Sequence, residues 1–443
     1  MDYFDIYKSK TPKSKKAHEK ALDLMPGGIC HNLRYHPPYP ICIKDAYGSK
    51  IVDVDENVYI DLWMGHYAHI LGHRPDIVYN TVKEEGPKGL HWGFVHPAEI
   101  EFAEMIKELI PCAEKIRFCC TGTEATMYAV RFARAFTGRN VILKMAGGWH
   151  GGNSDLSLYI KPPFDKEDSA GLLPEATNYC RPLFFNDLDR SYKIIKETGN
   201  DLAAIILEPV MGNGFIPGEA EYLNMLREET KRLNALLIFD EIITGFRVGV
   251  NGAQGLFGII PDLATFGKVA GGGMHLGIIA GRADILSLCD PTIKRENKWD
   301  GVLSGGGTFS CNPLAMEVGK SVVSYLKKNE KDIYPELADK GEKMRKGIKQ
   351  AFDDANVDAI VTGFASLFQT HFPLKKDDRP RNPHEILLKT DINKREVEFK
   401  IRMLNHGVNL MHGGGAISTA HTDKDIEKVI EAAREVAVEM RGE

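Results

Sequence analysis

The sequence predicts an α/β protein whose large domain holds a mostly parallel β-sheet covered by helices, together with a smaller α+β lobe. Between residues 75 and 312, short apolar runs rich in β-branched residues alternate with helical windows. Uninterrupted apolar runs are typical of parallel strands that are buried on both faces of a sheet. The predicted strands are VILKM, LAAIILEPV, ALLIFDEI, DLATFGK and LGIIAG. Because such sheets bind ligands at the carboxyl ends of their strands, functional residues are expected there.

The N-terminal segment, residues 1–74, has a different pattern. Residues 11–25 place apolar residues among lysines in the spacing of a short surface helix, and Pro26-Gly27-Gly28 ends it. Residues 40–61 alternate apolar and polar residues around two turn sequences. Such alternation predicts a small antiparallel meander. We therefore expect an N-terminal segment made of a helix and a meander.

The C-terminal segment, residues 313–443, follows the large domain of residues 75–312. A long amphipathic helix is predicted over 312–328 and a second, charged helix over 336–354. The strand-like run IVTGFASLFQTHF and a closing helix from Asp423 to about Met440 complete this segment. A separate small α+β domain is the simplest account of the pattern.

Composition and charge exclude several classes of protein. The 443 residues are 43% hydrophobic and 26% charged, as in ordinary folded domains. The net charge of −5 offers no basic field for nucleic acid. No apolar run reaches 18 residues, and the N-terminus lacks the apolar core of a signal peptide. The eight cysteines form no C-x-x-C pair, so reduced thiols and no metal site are expected. Together these observations predict a cytoplasmic protein that binds neither membrane nor nucleic acid.

A short polar turn after the apolar run IRFCC is a candidate phosphate site. It reads Thr121-Gly122-Thr123-Glu124-Ala125 and leads into the helical run ATMYAVRFARAFTG. A turn from strand to helix leaves backbone N–H groups free at the positive end of the helix dipole, where an anion is favoured. The alternative is that this turn only caps the helix.

Two ionisable residues close predicted strands. Asp240 ends ALLIFD and Lys268 follows DLATFG, with glycines on both sides of the lysine. A buried carboxylate needs a partner, which could be a salt bridge, a helix N-terminus or the protonated ring nitrogen of a cofactor. A partly buried lysine has a depressed pKa and is the residue type that forms Schiff bases, although a lone lysine at a strand end ordinarily extends into solvent.

Taken in order along the chain, these motifs resemble those of the class III aminotransferases, which are pyridoxal 5′-phosphate (PLP) enzymes of fold type I. Within that family the sequence is most similar to the glutamate-1-semialdehyde aminomutase-like subgroup. The likeness extends from Pro26-Gly27-Gly28 to Ala420-His421-Thr422. The motifs that carry it are TGTEA (121–125), GGWHG (147–151), EPV (208–210), DEIITGFR (240–247), GK (267–268) and GTFSCNP (307–313).

The resemblance implies how PLP is held and used. Lys268 would form the Schiff base with the cofactor and later move the proton, and Asp240 would pair with the pyridine nitrogen. Trp149 would cover one face of the ring and Ile242 the other. Glu208 would lie near an oxygen of the substrate or cofactor, unless it only closes a strand.

The phosphate would be bound across a homodimer. Gly122 and Thr123 would hold it in one subunit, and Thr308 would reach it from the other. His150 could be a structural histidine, and Cys119, Cys120 and Cys311 are expected to serve packing.

The resemblance also assigns candidate substrate-binding residues. Arg34 occupies the place of an arginine that binds the substrate carboxylate, for which a planar bidentate donor is suited. His66 and His412 are the other candidates. The surrounding pocket departs from the aminomutase pattern at three places: His31 replaces a serine, His66 replaces a tryptophan, and the segment around Gly413 lacks an acidic residue.

The resulting functional hypothesis is amino transfer between an amino acid and a keto acid through a pyridoxamine phosphate intermediate. The first alternative is glutamate-1-semialdehyde 2,1-aminomutase. The second is an amino-acid racemase that uses the same lysine. A PLP-binding regulatory or carrier protein without turnover is the alternative from another class.

Overall fold

A computed structural model of the chain describes residues 2–297, 300–376 and 378–441. The residues group into two compact units. The terminal unit consists of Met1–Pro75, Pro335–Arg379 and Lys389–Glu443, and the central unit consists of Asp76–Tyr334 and Pro380–Leu388. This division differs from the three consecutive segments expected from the sequence.

The physical reason for the difference is strand pairing between the chain termini. The strand Val58–Asp61 pairs in parallel with Val408–Asn409, so the N-terminal meander continues into C-terminal residues. The helix Pro313–Lys328 belongs to the central unit, where its apolar face packs on Phe102 through Gly319.

The strands include those expected from the sequence and four that it did not predict, numbered β6, β9, β15 and β16. They are β1 (Ile43–Tyr47), β2 (Lys50–Asp53), β3 (Val58–Asp61), β4 (Lys115–Cys119), β5 (Val141–Met145), β6 (Cys180–Leu183), β7 (Leu202–Leu207), β8 (Val210–Met211), β9 (Ile216–Pro217), β10 (Leu236–Asp240), β11 (Leu263–Phe266), β12 (Gly277–Gly281), β13 (Ile360–Phe364), β14 (Leu367–His371), β15 (Val408–Asn409) and β16 (Gly414–Ala416).

The central unit is built on a seven-stranded sheet in the order β4-β12-β11-β10-β7-β5-β6. The neighbours β11, β10, β7, β5 and β6 are parallel, whereas β12 runs antiparallel to both β4 and β11. Every residue of β5, β7 and β10 is buried, as uninterrupted apolar runs predict. The predicted fold class, α/β with a mostly parallel sheet, is confirmed.

Helices cover this sheet and fill the rest of both units. The helix Gly122–Thr137 buries Ala125, Ala129 and Phe132 in the same apolar cluster as Ile142 and Ile206 of the sheet. The helices of the described residues are Tyr3–Lys10, Pro12–Leu22, the distorted turn Met64–Tyr67, Asp76–Glu85, Pro97–Leu109, Gly122–Thr137, Ala176–Tyr179, Leu188–Thr198, Ala220–Arg232, Gly252–Phe257, Ala283–Leu286, Pro313–Lys328, Glu330–Asp354, Pro383–Lys389, the π-helix Lys394–Phe399, Lys400–Asn405 and Asp423–Arg441.

The terminal unit has two small sheets. One has the order β1-β2-β3-β15 and contains the predicted meander, and the other has the order β13-β14-β16. In the described residues, no helix is both long and apolar enough to cross a membrane.

Candidate active site

Four neighbouring strands of the central sheet deliver polar residues to one edge. Lys268 follows β11, Asp240 ends β10, Glu208 follows β7 and His150 follows β5. These strands are adjacent and parallel, so their carboxyl ends meet at the same edge. Tertiary structure therefore brings together residues that are up to 118 positions apart between His150 and Lys268.

Asp240 lies in a closed network of hydrogen bonds. Its carboxylate accepts from the backbone N–H of Ile242 at 3.1 Å and from the Thr265 hydroxyl at 3.1 Å. The imidazole Nδ1 of His150 lies 2.7 Å from the other carboxylate oxygen. Both side chains are buried, so His150 gives the Asp240 carboxylate a hydrogen-bond partner in a place that water does not reach. The pairing with His150 was not predicted from the sequence.

Glu208 is the second buried acid of the site. One of its oxygens accepts from the backbone N–H of Trp149 at 3.1 Å and the other from that of Gly212 at 2.9 Å. Burial raises the pKa of Glu208, and the negative charge of Asp240 acts in the same direction, while His150 opposes them.

Lys268 adopts a backbone conformation that is rare for residues other than glycine, with a φ of 42°. Burial lowers the pKa of its amine, although the charges of Asp240 and Glu208 favour the ammonium form. A lowered pKa increases the share of neutral amine, which is the nucleophilic form.

The polar turn before the helix Gly122–Thr137 keeps backbone donors free. Thr121 caps the helix by accepting from the N–H of Glu124 at 3.2 Å. Gly122 and Thr123 occupy the first two helical positions, where N–H groups have no partner within a helix. The turn is therefore both a helix cap and a place that suits an anion.

Two other loops pack against this turn. Gly151, with a φ of 86°, leaves no room for a Cβ atom beside Thr123. A Cβ atom on Gly122 would lie 2.8 Å from Cδ1 of Ile242, and one on Gly267 would lie 3.3 Å from it. The side chain of Ile242 thus lies between the polar turn of residues 121–125 and Gly267, the residue before Lys268.

Trp149 and Thr308 are both exposed in the single chain, the tryptophan by 54%. Thr308 lines a cavity of about 800 Å³ together with Phe94 and Val95. In the described residues no hydrogen bond joins Thr308 to Thr123.

The candidate substrate residues lie in the terminal unit. Arg34 ends an exposed 3₁₀ turn, Asn32–Arg34, that the imidazole of His31 caps by accepting from the N–H of Leu33 at 3.3 Å. The rings of His31 and His66 lie 5.0 Å apart, and the ring of His66 lies 4.3 Å from that of Trp63. The backbone of residues 64–67 has four consecutive positive φ angles, an unusual conformation that orients His66.

His412 contacts an acidic residue that the sequence did not reveal. Its Nδ1 lies 3.1 Å from both carboxylate oxygens of Glu396, and Glu396 also accepts from Arg395 at 2.8 Å. Burial opposes ionisation of Glu396, but His412 and Arg395 more than offset it and lower its pKa to about 2. Glu396 lies in the π-helix Lys394–Phe399, and no sequence motif marks it.

Comparison with known proteins places the chain in a family. The model of the family described as aminotransferase class-III matches residues 32–421. Glutamate-1-semialdehyde 2,1-aminomutases of Methanosarcina acetivorans and Archaeoglobus fulgidus are each 38% identical, over 95% and 96% of this chain and 97% and 99% of theirs. An omega-transaminase from Sphaerobacter thermophilus superposes with a TM-score of 0.88 at 29% identity, covering 97% of this chain and 98% of that one.

The chain therefore belongs to the class III aminotransferase family of PLP enzymes. Its cofactor is pyridoxal 5′-phosphate, and the residues described above fit that group. A half-buried lysine with a lowered pKa, a buried carboxylate hydrogen-bonded to histidine, and free N–H groups at a helix start match the aldehyde, the ring nitrogen and the phosphate of PLP.

Proposed function

We propose that this enzyme is a glutamate-1-semialdehyde 2,1-aminomutase, which moves the amino group within one substrate molecule. The observation that carries the proposal is the 38% identity to aminomutases over nearly the full length of both chains. The sequence motifs alone favoured amino transfer between two molecules over the aminomutase reaction. The full-length comparison reverses that preference.

The residues of the strand edge have distinct roles in this proposal. Bound PLP supplies an electron sink for the electrons released when a proton leaves the carbon next to nitrogen. Lys268 Nζ anchors the cofactor and then carries that proton between carbon atoms. Asp240, oriented by His150, holds a proton on the ring nitrogen. Trp149 and Ile242 would cover the two faces of the bound ring.

The remaining residues bind charged groups. Gly122 and Thr123 donate to the phosphate at the helix start. Glu208 lies near an oxygen of the cofactor or the substrate. Arg34 binds a substrate carboxylate through its planar guanidinium.

Transfer between an amino acid and a keto acid is a second candidate, and a specific observation favours it. His31 and His66 form an imidazole pair where aminomutases have serine and tryptophan, and Gly413 stands in a segment that lacks their acid. The imidazole of His412 already pairs with Glu396. It is therefore not free to bind the second carboxylate of a dicarboxylic substrate.

We also propose that the working form is a homodimer in which Thr308 completes the phosphate site of the partner subunit. The cavity that Thr308 lines carries exposed apolar side chains among charged ones, with Phe94 exposed by 82% and Val95 by 79%. Apolar surface of this kind marks an interface. A second copy of the chain would cover these side chains and bring Thr308 to the phosphate.

One preparation decides between the reactions. Conversion of glutamate 1-semialdehyde to 5-aminolevulinate without an added amino donor is expected to outpace loss of visible cofactor absorbance with any single amino acid. If amino acids bleach the cofactor stoichiometrically and 5-aminolevulinate does not form, the second candidate replaces the first. Exchange of the α-proton with deuterated solvent, without net amino transfer, would instead indicate a racemase.

A further inference from the structure

Lys144 is a fully buried lysine that the proposed chemistry does not use. It lies in β5, and its Nζ donates to the carbonyl of Gly148 at 2.9 Å and to that of Leu158 at 2.6 Å. In the described ranges no carboxylate oxygen lies within ion-pair distance of this amine, and burial lowers its pKa to about 8. Burying a charge without a counter-ion is costly, so the apolar run VILKM contains an unfavourable residue.

The carbonyl that Lys144 binds belongs to a peptide group with a second charged partner. The Gly148 carbonyl and the Trp149 N–H are the two ends of one peptide unit. The carbonyl end accepts from Lys144, and the N–H end donates to Glu208 at 3.1 Å. A cation thus lies at the negative end of this peptide dipole and an anion at its positive end.

This arrangement permits one orientation of the peptide. Rotating it by half a turn would direct the carbonyl oxygen at the Glu208 carboxylate and the N–H at the Lys144 ammonium. Both contacts would be repulsive in a buried site, where charges are weakly screened. Hydrogen bonds to charged groups are also stronger than neutral ones. The orientation of this peptide sets the direction in which the loop after β5 carries Trp149 and His150.

We propose that Lys144 is a positioning residue which, together with Glu208, fixes the peptide between Gly148 and Trp149 and so directs Trp149 and His150 into the cofactor site. The part of this inference that concerns the cofactor rests on the proposed function of Trp149. The orientation of the peptide itself does not depend on that function.

The test uses Lys144→Met, which removes the ammonium but nearly conserves volume. In the described ranges Lys144 has no carboxylate within ion-pair distance, so its replacement leaves no partner charge buried alone, and the variant is expected to fold. Lys400→Met is the matched control, because Lys400 is also a buried lysine with a pKa lowered to about 8, but it lies in the terminal unit.

The first measurement is amide hydrogen exchange of the peptide covering residues 146–151, in the protein freed of cofactor. Lys144→Met is expected to raise this exchange about tenfold, since one anchor of the turn is lost. Lys400→Met should leave it unchanged. Wild-type exchange in Lys144→Met, or an equal rise in Lys400→Met, would overturn the proposal.

Glu208→Gln tests the other end of the peptide and serves if Lys144→Met does not fold. Its amide oxygen can still accept from the Trp149 N–H, so a smaller rise in exchange, about threefold, is expected. Combined with Lys144→Met, it should raise exchange by less than the product of the two effects, because both changes free the same peptide. If the double variant raises exchange by the full product of the two single effects, Lys144 and Glu208 do not act on the same peptide.

The second measurement is the visible circular dichroism of the protein loaded with PLP. Lys144→Met is expected to lower this signal by at least half, because the ring loses its ordered cover. Raised amide exchange with unchanged circular dichroism would support the oriented peptide but reject the proposed contact between Trp149 and the cofactor.

Discussion

Lys268 combines a positive φ angle with a pKa lowered by burial, and both properties depend on its place after β11. The preceding residue must be small, because a Cβ atom on Gly267 would lie 3.0 Å from the carbonyl oxygen of Leu276. Asp240 at the end of β10 and Glu208 after β7 lie close enough to influence the charge of Lys268. A lysine at an exposed strand end would have neither property. The residue is therefore suited to nucleophilic chemistry by its surroundings.

Replacing Lys268 with Ala is expected to abolish the visible absorbance that depends on its bond to PLP. Turnover should fall by several orders of magnitude, because covalent attachment and proton transfer are both lost. Absorbance spectra and steady-state rates measure the two effects, with Lys328→Ala, at an exposed site, as a control. Near-normal activity of Lys268→Ala would refute the assignment.

Asp240→Asn should preserve the fold and part of the cofactor binding, because the amide can still form hydrogen bonds to Thr265 and Ile242. The ring nitrogen would lose its negative partner. We expect turnover to fall about a hundredfold or more, which corresponds to roughly 3 kcal/mol. Unchanged turnover in single-substrate kinetics would exclude the role proposed for this carboxylate.

At the scale of elements, the π-helix Lys394–Phe399 is tied to the loop of His412 by Glu396. The ordinary pKa of Glu396 is 4.5, and its partners lower it to about 2 in the folded chain. A lowered acid pKa contributes stability that is complete above pH 4.5 and is lost as pH falls towards 2. The contribution at neutral pH is up to about 3 kcal/mol.

Glu396→Gln is therefore expected to be less stable than wild type at pH 6, with the difference shrinking as pH falls from 4.5 to about 2. Urea midpoints at several pH values measure this difference. Glu19→Gln, at an exposed site, should follow wild type throughout. A difference that does not vary with pH would show that packing, and not charge, is what the substitution disturbs.

For the whole molecule, the proposed homodimer would link assembly to cofactor binding through the exposed apolar side chains near Thr308. Phe94→Glu is expected to shift the protein towards monomers, because it places a charge on a surface that dimerisation would bury. The affinity for PLP should fall together with the dimer. Sedimentation velocity combined with PLP titration measures both properties.

Leu256→Glu is the control, since Leu256 is 53% exposed but does not line that cavity. It should remain dimeric and retain PLP. A Phe94→Glu monomer that binds PLP as tightly as wild type would show that each subunit holds the phosphate by itself.

The amino-acid sequence by itself determined the parallel strands, since VILKM and LLIFD are apolar throughout and only a sheet covered on both faces buries such runs. It also placed Lys268 and Asp240 at the carboxyl ends of apolar runs, which share one edge of a parallel sheet. Local pattern was sufficient for these positions, whereas the cofactor roles proposed for the two residues came from the resemblance to a family.

Tertiary structure alone decided the partners of those residues. The pairing of His150 with Asp240, the Glu396 partner of His412 and the peptide held between Lys144 and Glu208 all join residues distant in sequence. The joining of the N-terminal meander to β15 is of the same kind. Hydrophobic periodicity reports which face of an element is buried, but not which polar groups meet when elements pack, because those distances depend on the whole fold.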